Sequence, residues 1–573
     1  MYDRGIQIRI WLVALSLLLA FCGLGAKLCY LHLSDHSKVT GREYKRVLLG
    51  LRGGIYDCNG ERYPMAVSLP ARLFYLDPKA VKKEHDVRQI AQKVAQRLDL
   101  SEESVLAQFK RTDSRYIKLG ISLDDEVFEA LSDPKTISGV ASEDIVIRRY
   151  PQGRRMSHVL GFVNNMGVGG AGIEQQFNSY LTGTPGLIEG EKDAGRREIF
   201  SRRKIHVPPI AGSDIYLTLD HRIQYEVERA IQEVVEKFDA LSAWAIVQHI
   251  STGKILAMAS FPDFEPERYT ETTLDVWRNN ALAIVYEPGS IMKAVTVAAL
   301  LNERLATPET EYEVGEGVWF YAGKPLRDHV YGRVSVSTAL KKSSNIACAK
   351  MGLRLGPQKL EAYLRAFNFG SKLGIELPGE ENGILARAKQ WDKLKPTRIP
   401  IGQGIAVTGL QMINAYSTLA NDGRMMRPYV VDRIVSPSGE VIMRAKPEVI
   451  GCPVRPEVAR AVREMLTGVT EEGGTGKRAS VKGFSIAGKT GTAQKAVPGG
   501  YSSTDYYASF VGFVPASKPV FSVLVSVERP RPQHTGGFVA APVFARIATA
   551  TARYLALDPD LPLDDDDLRL AQP

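Results

Sequence analysis

Cysteine is scarce in this sequence: five residues among 573, with no C-x-x-C and no clustered Cys/His set. Cys22 and Cys29 fall in an apolar N-terminal stretch, leaving Cys58, Cys348 and Cys452, an odd number at wide spacing. This argues against a disulfide framework and against a zinc or other metal site, and predicts three buried small hydrophobes. Massed positive charge is also missing. The formal net charge is +9, yet the basic residues are dispersed apart from short pairs such as Arg148-Arg149, Arg154-Arg155 and Arg202-Arg203. A nucleic-acid footprint needs those charges on one face, so no nucleic-acid partner is expected. With 44% apolar and 24% charged residues the chain is not disordered, and its length implies two or three domains.

No A-x-A cleavage site follows the apolar run from Ile10 to Leu33, which is longer than a signal-peptide core. It has about the length needed to cross a bilayer. Arg4 and Arg9 precede it, so residues 1–9 are expected in the cytoplasm and everything after 10–33 outside. Residues 34–212 read as a mixed α/β module with short elements. Asn59-Gly60 carries turn chemistry, and 172–177 and 181–186 are turn-rich.

From 213 the texture changes. Asp214 to Leu219 reads as a strand and His221 to Phe238 as a helix. Ala243 to Ile250 and Ile255 to Ser260 read as a hairpin across Ser251–Lys254. Near the other end, Ala508 to Val514 and Pro519 to Glu528 read as strands, followed by an amphipathic segment from Pro542 to Leu555. A largely helical middle separates them. One α+β domain over 213–556 is expected, its sheet assembled from both ends. Residues 557–573, with Asp564 to Asp567, read as an acidic solvated tail.

Ser-x-x-Lys recurs along this sequence. Ser201–Lys204 lies in a basic patch and Ser251–Lys254 in the hairpin. Ser290-Ile291-Met292-Lys293 differs: Glu287-Pro288-Gly289 precedes it as a helix start, and an almost wholly apolar helix follows from Ala294 to Leu301. A lysine at the head of a buried helix is costly as a cation, and burial lowers its pKa toward the state a general base requires. The i, i+3 spacing puts its amine on the same face as the Ser290 hydroxyl, and the helix start offers free N–H groups for an oxyanion. The competing reading is a lysine that snorkels to the surface beside a capping serine.

Ser343-Ser344-Asn345 precedes a small-residue helix from Ile346 to Leu353. Lys489-Thr490-Gly491-Thr492 comes after a short run, Phe484 to Ala487, that reads as a strand. Together these form the ordered S-x-x-K, S-x-N, K-T-G set of penicillin-interacting serine enzymes, with Ser-Ser-Asn in place of Ser-Asp-Asn. Gly483 to Thr490 also satisfies the Walker A pattern of a P-loop. That motif needs a helix directly after it, and Gly491 through Pro498-Gly499-Gly500 leaves no room for one.

On these motifs the chain resembles the class B penicillin-binding proteins. So do Arg52 to Gly60, 172–186, Glu287 to Ser290, Gly402-Gln403-Gly404, Asn421-Asp422-Gly423 and Gly537 to Phe544. Ser-Ser-Asn and Arg278-Asn279 are more similar to the septal, FtsI-like branch than to the elongation branch. The resemblance implies an anchored α+β protein: a transmembrane helix, a pedestal or dimerisation-like module, and a β-lactamase-like transpeptidase domain with an antiparallel sheet flanked by helices. It implies D,D-transpeptidase chemistry on peptidoglycan stem peptides, without a cofactor and open to β-lactams. Ser290 would be the nucleophile and Lys293 its base. Ser343 would relay protons, Asn345 would bind the donor amide, and Lys489 would support that network. Thr490, Gly491 and Thr492 would bind substrate, and the N–H groups of Ser290 and Thr492 would form the oxyanion hole.

No glycosyltransferase domain is evident, so the resemblance implies an FtsW-like membrane glycosyltransferase partner, alongside other division proteins, at the inner membrane. Cys58 replaces the family's usual Arg, and Gly409 stands where Pro is common. A non-catalytic scaffold that binds stem peptide or β-lactam keeps the same residues. A β-lactamase would need a means of activating deacylating water.

Overall fold

The computed structural model describes residues 4–33, 42–81, 86–111, 113–131, 137–193 and 198–562. Asp564 to Asp567 lie outside them. The N-terminal apolar run is a continuous helix, α1 (Arg4–Leu33), and among the described residues it is the one helix long and apolar enough to cross a membrane. The next strands are β1 (Arg42–Leu48), β2 (Ile55–Asp57), β3 (Gly60–Leu76), β4 (Ile117–Ser122) and β5 (Val140–Arg149). β6 (Gly186–Lys192), β7 (Ile205–Val207) and β8 (Asp214–Leu217) lead to helix α2 (His221–Lys237). The hairpin β9 (Ser242–His249) and β10 (Ile255–Phe261) comes next, then helices α3 (Lys293–Asn302), α4 (Asn345–Leu355) and α5 (Gly409–Ala420). β11 (Val431–Val435), β12 (Val441–Arg444), β13 (Ala487–Val497), β14 (Gly500–Val514), β15 (Phe521–Glu528) and α6 (Gly536–Tyr554) complete the set.

The chain divides into two compact units. One comprises residues 1–49 and 185–209 and contains α1 and a three-stranded antiparallel sheet in the order β1-β6-β7. The other comprises 50–184 and 210–573 and holds two larger sheets. The first runs β12-β11-β8-β2-β3-β4, with β5 also on β3, so strands from both sides of the boundary expected at 212–213 share one sheet. β8 joins it through a parallel pairing with β2, Ile55 opposite Ile215.

The second sheet is antiparallel, β10-β9-β15-β14-β13, assembled from both ends of the expected α+β domain. Both of its faces are covered, which accounts for the continuous apolar strands. Ala243, Ala245 and Val247 of β9 meet α2 and α6 through Val227, Ile231, Phe544 and Ile547. The alternate residues Trp244 and Ile246 face the core around α3 and α5. α2 begins where the Asp220 carboxylate accepts from Arg222 N and Ile223 N, and α5 where Thr408 and Gln411 close a capping box.

Several expectations are corrected. Residues 172–181 are not merely turns but two short helices, Gly172–Gln176 and Asn178–Leu181. The middle of the chain carries strands as well as helices, including β11, β12 and three small two-stranded ladders. α6 starts at Gly536, and Pro542 is tolerated inside it. Phe484 to Ile486 precede the strand rather than form one. Cys348 is buried, but Cys58 and Cys452 are exposed, so the expectation for those two fails.

Glu174 is fully buried and accepts from Arg52 Nε at 2.6 Å and Arg148 Nε at 2.7 Å, both arginines being nearly buried. The Tyr150 hydroxyl donates to the same carboxylate at 3.2 Å. Arg52 continues to the Glu174 carbonyl, and Arg148 to the Gly53 carbonyl and Ser68 Oγ. Three segments distant in sequence are thereby tied by one carboxylate.

Candidate active site

Ser290 sits in a tight 3-10 turn, Gly289–Met292, and α3 begins directly at Lys293, so the serine precedes the α-helix and does not cap it by its side chain. Gly289 takes φ +58°, a left-handed value that disfavours side chains, and donates its N–H to the Gly402 carbonyl at 3.1 Å. The Tyr416 hydroxyl of α5 donates to the Ile291 carbonyl at 2.8 Å and pins the turn from behind. Among the described residues the Ser290 hydroxyl forms no hydrogen bond. It opens into a cavity of about 530 Å³ shared with Ser343, Asn345, Thr490 and Thr492.

Lys293 is completely buried, which rules out the snorkelling alternative. Its Nζ donates to the Ser343 carbonyl at 2.6 Å, Ser343 Oγ at 3.1 Å and Asn345 Oδ1 at 2.7 Å. Lys489, also fully buried, donates to Ser343 Oγ at 3.0 Å and to the Thr490 carbonyl at 3.3 Å. One hydroxyl therefore bridges two amines. Burial pushes both lysines below the ordinary lysine range, Lys489 well below it, and repulsion from Lys293 adds to the effect on Lys489. Two like charges sharing a dry site make loss of one proton favourable. Cys348 lies near both amines, and burial raises its thiol pKa, so it stays a neutral filler.

The elements are arranged for this contact. Ser343 takes φ +61° between two helices, and Ser344 then caps α4 by accepting from Ala347 N. β13 carries Lys489 to Thr492 as a strand, not as a P-loop. Gly491 allows its approach to the serine turn: a Cβ there would lie 3.1 Å from Ile291 Cγ2 and 3.2 Å from the Pro288 carbonyl. Thr490 Oγ1 is hydrogen-bonded to Thr475 Oγ1 at 2.8 Å, and Thr492 Oγ1 accepts from Gly536 N at 3.1 Å.

The structure also adds residues that the motifs left unmarked. The Asp328 carboxylate accepts from Ser344 Oγ at 2.5 Å and Ile346 N at 2.8 Å, fixing the start of α4. His329, Thr475, Lys477, Arg478 and Phe538 line the cavity. They lie in loops or at a helix start with no repeating spacing, so no periodic signal marks them. Two other Ser-x-x-Lys copies are elsewhere: Lys254 pairs with Asp432, and Ser201 lies in a separate 3-10 turn. One group with metal-ligand atoms, Asp57, Asp220 and His221, lies outside this cavity. Asn59, Tyr554 and the Arg222 N–H already donate to its carboxylates, which makes it a capping network.

A free serine hydroxyl beside two desolvated amines and a bridging hydroxyl is the equipment of a serine acyltransferase. Comparison with known proteins is specific. Residues 243–549 match the penicillin-binding protein transpeptidase domain and 48–217 the penicillin-binding protein dimerisation domain. The chain is 31% identical over 563 residues to a probable peptidoglycan D,D-transpeptidase, PbpC, of Pseudomonas aeruginosa, covering 96% of each. It is 29% identical over 523 residues to the peptidoglycan D,D-transpeptidase FtsI of Escherichia coli, covering 89% of this chain and 84% of that one. The crystal structure of penicillin-binding protein 3 from Mycobacterium tuberculosis, complexed with aztreonam, aligns with a TM-score of 0.70 at 26% identity, over 90% of this chain and 99% of that one. The chain belongs to the class B penicillin-binding proteins, of the FtsI type.

Asp328 supports the site from outside the three motifs. Replacing it with alanine removes the acceptor that orients Ser344 and Ile346, at a cost of about 1–2 kcal/mol of local stability. Misplacement of the adjacent Ser343 and Asn345 is expected to slow penicillin acylation about tenfold. A time course of fluorescent penicillin incorporation checks this, and an unchanged rate would remove Asp328 from the site's support.

Proposed function

We propose that this protein is a peptidoglycan D,D-transpeptidase acting in septal wall synthesis. The observation that carries the reading is Ser343 Oγ held between the Lys293 and Lys489 amines in the cavity onto which Ser290 opens. Ser290 attacks the penultimate D-Ala carbonyl, with Lys293 taking its proton. The oxyanion is met by the N–H groups of Ser290 and Thr492. Ser343 passes a proton to the departing D-Ala amine, and Lys489 supports that transfer. Asn345 holds the donor amide, while Thr490 and Thr492 on either side of Gly491 hold the terminal carboxylate. An amine from a neighbouring stem then forms the cross-link and frees the serine.

The proposed layout is a cytoplasmic tail over 1–9, an inner-membrane anchor over 10–33, a pedestal over 34–212, a periplasmic transpeptidase domain over 213–556 and a tail over 557–573. An FtsW-like glycosyltransferase and other division proteins are the proposed partners. The septal assignment draws on the Ser343-Ser344-Asn345 triplet and on the similarity to FtsI.

Mass mapping after exposure to benzylpenicillin tests the chemistry. The adduct is expected on the peptide containing Ser290, and transfer of a stem peptide to an amine acceptor is expected in its absence. An adduct on another residue, or none, overturns the assignment. Rapid loss of the adduct would identify a β-lactamase, and a stable adduct without transfer a scaffold.

A further inference from the structure

The active-site cavity does not end at the threonines that the proposed function gives to the donor's terminal carboxylate. It continues past Thr475 and Gly537 to Lys477, Arg478 and Phe538. Lys477 is paired with Glu472. Arg478 is different: its guanidinium carbon lies 3.8 Å from the Phe538 ring centroid, and among the described residues it forms no ion pair or hydrogen bond. Stacking holds the fork in place at the wall and leaves its N–H edge available. Among the described residues, no acidic side chain lines this cavity. Arg478 and Phe538 also line a second cavity of about 280 Å³ between α2 and α6, so the wall borders further open space.

A donor that ends in a carboxylate at Thr490 and Thr492 has no atoms left to reach Arg478. The other substrate does. Attack by the acceptor amine is the reverse of departure of the leaving amine, so the acceptor enters from the side on which D-Ala left. Its nitrogen forms the new amide bond, the Ser290 Oγ–carbon bond breaks, and the amine's proton returns to the serine through the lysine–Ser343 network. Arg478 lines the same cavity beyond Thr475, which is hydrogen-bonded to Thr490.

We infer that Arg478, stacked on Phe538, forms an acceptor subsite that selects amines carrying a second carboxylate beyond the one next to the amine. This rests on the proposed function above and adds the acceptor's chemical class to it. A guanidinium fork prefers a planar carboxylate to a carboxamide because it can donate two parallel, charge-assisted hydrogen bonds.

The test uses the full chain in detergent with a thioester donor, so that one acyl-enzyme partitions between water and added amine. D-glutamate and D-glutamine serve as acceptors, since they differ only in the distal carboxylate. Wild type is expected to favour D-glutamate, and Arg478→Gln to lose about tenfold of that preference, the scale of one charged hydrogen bond. Arg478→Glu is expected to reverse it and Arg478→Lys to retain part of it. A glutamate-to-glutamine ratio unmoved by these substitutions overturns the subsite. Penicillin acylation of the wild type is scored separately: an acylated Ser290 with an insensitive ratio overturns the subsite and leaves the transpeptidase reading standing.

Discussion

Lys293→Met is expected to slow acylation by penicillin about 10²–10⁴-fold, the range that a positioned general base contributes. The substitution keeps the length of an unbranched side chain while removing the amine. Lys293 is fully buried, and among the described residues no carboxylate lies within hydrogen-bonding distance of its Nζ; it meets only neutral acceptors on Ser343 and Asn345. Deleting such a cation is not expected to unfold the protein, because the buried charge was itself costly. Loss of rate with an unchanged denaturation midpoint is therefore the signature, read from a fluorescent penicillin time course. Acylation at the wild-type rate would remove Lys293 from the chemistry.

The pH dependence has a defined sign. Burial disfavours the ammonium, so the acting amine loses its proton at lower pH than a free lysine does. Acylation should rise with pH and reach half its plateau below the ordinary lysine pKa of about 10.4. Because Lys293 and Lys489 share Ser343 Oγ, the limb belongs to the pair. A limb at or above the free-lysine value would contradict a desolvated base.

The second large effect concerns stability. Glu174→Ala is expected to cost about 3–5 kcal/mol, since it leaves two nearly buried guanidiniums without their counter-charge. Urea denaturation monitored by circular dichroism measures it. Glu174→Gln should cost less, because the amide oxygen still accepts from one arginine. Equal midpoints for wild type and Glu174→Ala would mean that the arginines re-pair or that water reaches them. Glu174 is not among the residues lining the Ser290 cavity, so acylation of the protein that remains folded reports on Ser290 separately.

Ser290 and Lys293 were legible because local rules fix them. A serine and lysine three residues apart at the head of an apolar helix share a face whatever surrounds them. The hairpin β9–β10, helix α2 and strands β14 and β15 were legible for the same reason: their patterns repeat over a few residues. The P-loop reading could be rejected by the same means, since the glycines and proline soon after Thr490 leave no room for a helix.

Other features depended on contacts between distant segments. Asp328 acts on Ser344 across an intervening strand and helix, and Arg52, Arg148 and Glu174 meet from three separate stretches. No spacing rule joins residues whose proximity depends on how sheets and helices stack. Cys58 and Cys452 were misjudged for that reason, because exposure belongs to the packed structure and not to the residue type.

By itself, then, the sequence determined the apolar N-terminal helix, the order of the three motifs and the chemical types at the site. Periodicity, turn residues and side-chain chemistry are local properties of a chain. Tertiary structure alone decided that Ser343 Oγ lies between Lys293 and Lys489, 50 and 146 residues away, and that Arg478 stacks on Phe538 at the far end of the same cavity. Those contacts exist because β13 is packed against the turn before α3 and α6 begins beside β13. Burial at that junction is what changes the lysines' proton affinity.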